Sequence, residues 1–123
     1  MQTTDFVATV FDGTSNPEKV TVTFTMALNA LLKGHTATII LMVHAVELGK
    51  PDGSVGMDIG KPFEPVADLL AKYIEKGGRV AICGACMIHN GMNAEQMDPR
   101  FEIINAPDVI ELLMAAKGTL QVT

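Results

Sequence analysis

Two short, almost wholly apolar runs mark the chain early, Phe6–Phe11 (FVATVF) and Ala37–Val43 (ATIILMV). Runs of this length without polar alternation predict strands buried on both faces, as in a parallel sheet covered by helices. Arg79–Cys83 predicts a third strand, Phe101–Ile104 a fourth and Leu120–Val122 a fifth. Between these runs the period changes. Val66, Leu69, Leu70, Tyr73 and Ile74 recur at i, i+3, i+4, i+7 and i+8, laying one apolar stripe along a helix. Pro107–Lys117 reads as a further helix, and a short one is expected to start near Cys86.

The segment Pro17–Lys33 fits two periods. Val20, Val22, Phe24 and Met26 alternate with Thr21, Thr23 and Thr25 as in a strand, yet Val20, Phe24, Ala27, Leu28 and Leu31 share a helical face. The start signals decide for helix: Asn16 as N-cap, Pro17 in the first helical position and Glu18 in the first turn. The segment is also too long for an ordinary strand. Lys33-Gly34, Lys76-Gly77 and Lys117-Gly118 each stand where a helix should end before a strand. A cation suits the negative end of a helix, and glycine suits the left-handed position that terminates it. The resulting order, βαβαβαβαβ, predicts a mostly parallel five-stranded sheet with helices on both faces, a three-layer α/β/α architecture.

Composition narrows the class. At 123 residues the chain is expected to form a single domain spanning 1–123. It is 48% apolar and 19% charged, with eight Met and no Trp. Soluble domains carry about 25% charged residues, so apolar surface here must be buried in the sheet or against another subunit. The apolar run Ala37–Val46 is about half of what a bilayer span needs, so no membrane segment is expected. Residues 1–5 do not resemble a signal peptide, and a cytoplasmic protein is expected. A net charge of −5 with two Arg argues against a nucleic-acid partner. The Gly49–Pro62 segment, with four Gly and two Pro, reads as the one long loop.

In a parallel sheet, ligands bind beyond the carboxyl ends of the strands. That rule gathers Asp12–Asn16, His44, Cys83–His89 and Asn105-Ala106 on one rim. Cys83-Gly84-Ala85-Cys86 is the most informative of these segments. A cysteine leading into a helix start meets backbone N–H groups that favour a thiolate, the nucleophilic form. Gly84 permits close approach, and the C-x-x-C spacing adds a second thiol. Three further readings stay open: a dithiol redox module, a metal site built from Cys83, Cys86, His89 and His44, and an assembly protein whose cysteines are inert core. Asp12 and Asn16 also suit turn and cap roles. Met87, Met92 and Met97 suit core or interface filling.

The run Cys83-Gly84-Ala85-Cys86-Met87-Ile88-His89-Asn90-Gly91 resembles the cysteine loop of the DsrE/YchN family, which includes sulfur-relay proteins of the TusD type. The resemblance extends to Asp12-Gly13, to Ala27, Ala30 and Leu31, to Gly34 and to Val46-Glu47-Leu48. It implies a five-stranded parallel α/β/α fold assembling as a homo-oligomer, a trimer or hexamer, with no cofactor and no metal. It also implies a persulfide carried on Cys83, exchanged with donor and acceptor proteins, with Cys86 as a resolving thiol. Gly91 matches the family's glycine. Many members carry an arginine just before that glycine; His89-Asn90 stand there in this chain, and protonated His89 is the cation available in its place.

Overall fold

The computed structural model describes residues 2–123 and alternates strands with helices throughout. In chain order these are β1 (Phe6–Val10), α1 (Pro17–Leu32), β2 (Ala37–Leu41), α2 (Val66–Glu75), β3 (Arg79–Cys83), α3 (Gly84–His89), β4 (Glu102–Ile104), α4 (Ala106–Ala115) and β5 (Gly118–Val122). The strands form one sheet in the order β4-β3-β2-β1-β5, and every pairing is parallel.

This order explains the layering. Each step from β1 to β2 to β3 moves outward in one direction, so right-handed crossovers put α1 and α2 on the same face. The return from β4 to β5, on the far side of β1, carries α4 to the opposite face. The core divides accordingly. Val20, Phe24, Leu69 and Tyr73 pack with Ile39, Leu41 and Ile82 beneath α1 and α2, whereas Val109 and Leu112 of α4 meet Val7, Ile40, Ala81 and Ile104. Alternate residues of β2 therefore serve both layers, which is why its sequence is continuously apolar.

Local chemistry accounts for the helix that the alternating threonines left in question. The hydroxyls of Thr21, Thr23 and Thr25 donate to the carbonyls of Pro17, Lys19 and Thr21 at 2.7, 2.8 and 2.7 Å. Each threonine thus satisfies itself one turn back, and Thr21 and Thr23 can be fully buried. The Asn16 side chain accepts the Lys19 N–H at 3.2 Å and caps the helix.

Several boundaries differ from the sequence expectation. β2 stops at Leu41 rather than Val43, because Val43 takes a left-handed backbone, φ 54°, and opens a 3₁₀ segment at Val43–Gly49. α3 begins at Gly84, two residues before Cys86, with Cys83 as its cap. Gly34 and Gly77 adopt the left-handed conformation, φ 88° and 89°. Gly118 does not: it is the first residue of β5, and its N–H donates at 3.1 Å to the carbonyl of Asp5, just before β1. The stretch from Lys50 to Pro65 is built of turns and joins the 3₁₀ segment to α2.

Candidate functional site

All strands run parallel, so β1, β2, β3 and β4 deliver their carboxyl ends to one rim. β2 and β3 are neighbours there, and the segments that leave them face each other. Val43 and His44 follow β2, and α3 follows β3. Between them lies a cleft of 430 Å³ lined by Val43, His44, Ala85, Cys86, His89 and Asn90. No carboxylate is among those residues, although the chain carries a net charge of −5.

The two cysteines are free thiols with different surroundings. Cys83 ends β3 in the core beside Met87 and is 8% exposed. Its Sγ accepts the Cys86 backbone N–H at 3.5 Å and so caps α3. Burial, and then the adjoining Cys86 thiol, push the Cys83 thiol above the ordinary cysteine range, outweighing the backbone N–H groups of Cys86 and Ala85 that act the other way. The activation expected from the start of α3 is therefore overridden by desolvation. Cys86, one turn along the helix, is half-buried and lines the cleft.

Gly84 sits at a close approach. A Cβ there would sit 3.2 Å from both Ile103 Cγ2 and the Ile104 carbonyl, so glycine lets β3 turn into α3 against β4. Gly91 ends the helix: its φ is 80°, its N–H donates to Ile88 O at 3.0 Å, and the Met92 N–H reaches Met87 O at 3.0 Å. Its place at the rim thus follows from helix termination.

Two residues outside the predicted site set, Asn90 and Val43, hold the cleft together. Asn90 Nδ2 donates to the Cys86 carbonyl at 2.7 Å and toward the Val43 carbonyl at 3.4 Å, linking α3 to the segment after β2. Val43 is a β-branched residue in a left-handed conformation, at a cost on the order of 1–3 kcal/mol. The His44 and Ala45 N–H groups anchor that segment by donating to the Phe11 carbonyl, both at 3.1 Å.

The sequence-predicted residues are thus partly gathered. His44, Cys86 and His89 share the cleft, and Cys83 lies behind it. Asp12 is elsewhere on the rim, paired with Lys19 Nζ at 3.1 Å. Nearby, Glu47 accepts the Thr14 N–H at 2.6 Å and bonds its hydroxyl, holding the turn after β1. A Cβ on Gly13 would fall 2.5 Å from that carboxylate, so a larger residue there would displace the Glu47 side chain. Met87 and Met97 fill the core. Among the described residues, no group of three or more His, Cys, Asp or Glu side chains converges as a metal site. No helix among them is long and apolar enough to cross a membrane.

An all-parallel α/β/α sheet with a thiol pair closing its third strand defines the class of protein. Residues 5–122 match the DsrE/DsrF-like family, and the chain belongs to it. It is 31% identical over 101 residues to the uncharacterized protein MJ0760 of Methanocaldococcus jannaschii, covering 82% of this chain and 36% of that relative's length. Among solved structures, YchN of E. coli superposes with a TM-score of 0.75 at 17% identity, covering 98% of this chain and 99% of YchN. MTH1491 of Methanobacterium thermoautotrophicum gives 0.64 at 11% identity, covering 92% and 97% of the two chains. These likenesses establish the fold.

Proposed function

We propose that this chain is a sulfane-sulfur carrier that accepts and passes on sulfur at the Cys83–Cys86 thiol pair closing β3. The observation that carries the reading is the placement of two free thiols at the carboxyl end of β3, behind and within a cleft free of carboxylates. Cysteine thiolates are the one strong nucleophile available there. A thiolate attacks the terminal sulfur of a donor persulfide, the donor departs as its own thiolate, and the protein holds Cys–S–SH. Attack by an acceptor thiolate on that outer sulfur returns the protein thiolate and completes the transfer. The cleft lets a small group reach sulfur, with the imidazoles of His44 and His89 in its lining.

Homo-oligomeric assembly, as a trimer or hexamer, accompanies this reading. Ile88 of α3 is 71% exposed beside the cleft, and Val55 and Phe63 of the turn-rich segment after the 3₁₀ turn are exposed as well. Covering them would remove apolar surface from water. Donor and acceptor proteins are the partners implied, and the cytoplasm is the compartment that keeps such thiols reduced.

Intact-mass analysis after incubation with a persulfide donor tests the function. The expected result is one added sulfur on the wild type and none on a Cys83→Ser/Cys86→Ser double variant. A second reading, dithiol redox chemistry, is favoured by the C-x-x-C spacing, with the Cys86 N–H donating to Cys83 Sγ at 3.5 Å. It predicts loss of two hydrogens, with an internal disulfide and no sulfur gained.

A further inference from the structure

The resemblance to the family assigns sulfur to the strand-end cysteine, but the geometry separates the two thiols. We infer that Cys86, not Cys83, is the thiol that receives sulfur, from a small persulfide entering the cleft between His44 and His89, with Cys83 as the buried sulfur behind it. This rests on the sulfur-carrier reading and gives it a direction.

Three observations carry the assignment. Cys86 lines the 430 Å³ cleft, whereas Cys83 is absent from its lining. Cys83 is 8% exposed and belongs to the core with Met87. Its Sγ is engaged by the Cys86 N–H and so is oriented toward the backbone of α3. Displacement at a sulfur–sulfur bond needs the attacking sulfur in line with that bond, on the side away from the leaving group. A sulfur on the cleft wall can present that approach; one enclosed by core side chains cannot without displacing them. The cleft lies within the size range of small-ligand sites. The absence of carboxylates from its lining leaves a negatively charged persulfide unopposed within it.

The step balances as follows. Cys86–S⁻ and R–S–SH give Cys86–S–SH and R–S⁻: one S–S bond forms, one breaks, and no external oxidant or reductant is consumed. The Cys83 Sγ accepts the Cys86 backbone N–H at 3.5 Å and stands one helical turn from Cys86. Asn90 donates to the Cys86 and Val43 carbonyls and so ties α3 to the segment after β2 at the cleft.

Two arms test the assignment. In the first, wild type, Cys83→Ser and Cys86→Ser are incubated with cysteine persulfide, and the rate of sulfur gain is followed by intact mass. Cys86→Ser is expected to lose at least about tenfold in rate, a larger loss than Cys83→Ser shows. The reverse ranking overturns the assignment and leaves sulfur carriage standing. No sulfur gain on the wild type overturns the carrier reading itself. The second arm needs neither variants nor persulfide: iodoacetamide is applied to the folded wild type, and the labelled peptides are mapped over time. Cys86 is expected to be alkylated at least about tenfold faster than Cys83. Equal or reversed rates overturn the assignment even if a variant fails to fold.

Discussion

A Gly78→Ala substitution drives a methyl group into the most enclosed aromatic ring of the fold. A Cβ at Gly78 would lie 2.5 Å from Tyr73 Cε1 and Cζ and 2.6 Å from Cδ1. Carbon atoms pack at about 3.5–4.0 Å, so the ring or the backbone must shift by about 1 Å. Tyr73 is fully buried, with Phe24 against it edge-on at 6.3 Å between centroids, and its hydroxyl donates to the Arg79 carbonyl at 2.8 Å. Any movement that relieves the methyl strains this bond at the start of β3. Overpacking costs about 1–3 kcal/mol and a lost hydrogen bond about 1 kcal/mol, giving roughly 2–4 kcal/mol in all. For a chain of this size that is a fall in melting midpoint of about 10 °C. Urea denaturation of the four members of a Gly78→Ala/Tyr73→Leu cycle measures it. The cost of Gly78→Ala should shrink by at least about 1 kcal/mol when the ring is gone. A cost within about 0.5 kcal/mol of zero, or one that is unchanged by Tyr73→Leu, refutes the packing argument.

Other consequences follow from named contacts. Asn105 and Asp108 form a reciprocal cap, each side chain bonding the other's backbone N–H, at 3.0 and 3.1 Å; Asn105→Ala is expected to cost about 1 kcal/mol in urea denaturation. The Arg100 guanidinium beside Asp98 holds its carboxyl below the usual range. That stability is present above the unfolded pKa of about 3.9 and is lost as pH falls through the folded value, so acid titration of Asp98→Asn should show a shallower loss than wild type. Burial holds the Cys83 thiol high, so the folded chain keeps a proton that the unfolded chain releases. Stability is then full below the unfolded pKa of about 8.5 and declines as pH rises through the folded value; urea midpoints of Cys83→Ala should decline less on the alkaline side.

Much of the fold was legible because its elements announce themselves by period. The α2 stripe and the β2 run are each long enough to specify one structure, and the Asn16-Pro17 start decided α1 against its own alternating threonines. The threonine hydroxyl bonds that make this helix possible have no separate sequence signature. The end of β2 was not legible. A left-handed Val43 is set by the contacts around it, since a valine by itself disfavours that conformation. Gly118 misled for the opposite reason: Lys-Gly after a helix also suits the first residue of an edge strand.

The site was legible as a rim and illegible as an arrangement. Topology alone places His44, Cys86 and His89 at neighbouring strand ends, and they do share a cleft. Asp12 satisfies the same rule and points to Lys19 instead, because the rim is wider than any one site. Which cysteine faces the cleft depends on where α3 starts, and a two-residue shift in that start rotates each side chain by about half a turn. Asn90 stands out in the sequence only as a departure from the family's arginine; that its amide joins Cys86 to Val43 is visible in the structure alone.

Cyanolysis offers the most direct measure of the central claim. The wild type is loaded with cysteine persulfide, freed of donor by gel filtration, and treated with cyanide, which converts bound sulfane sulfur to thiocyanate. The account predicts about one equivalent of thiocyanate per chain, and none from the Cys83→Ser/Cys86→Ser variant. A wild type that yields no more thiocyanate than this variant would contradict it.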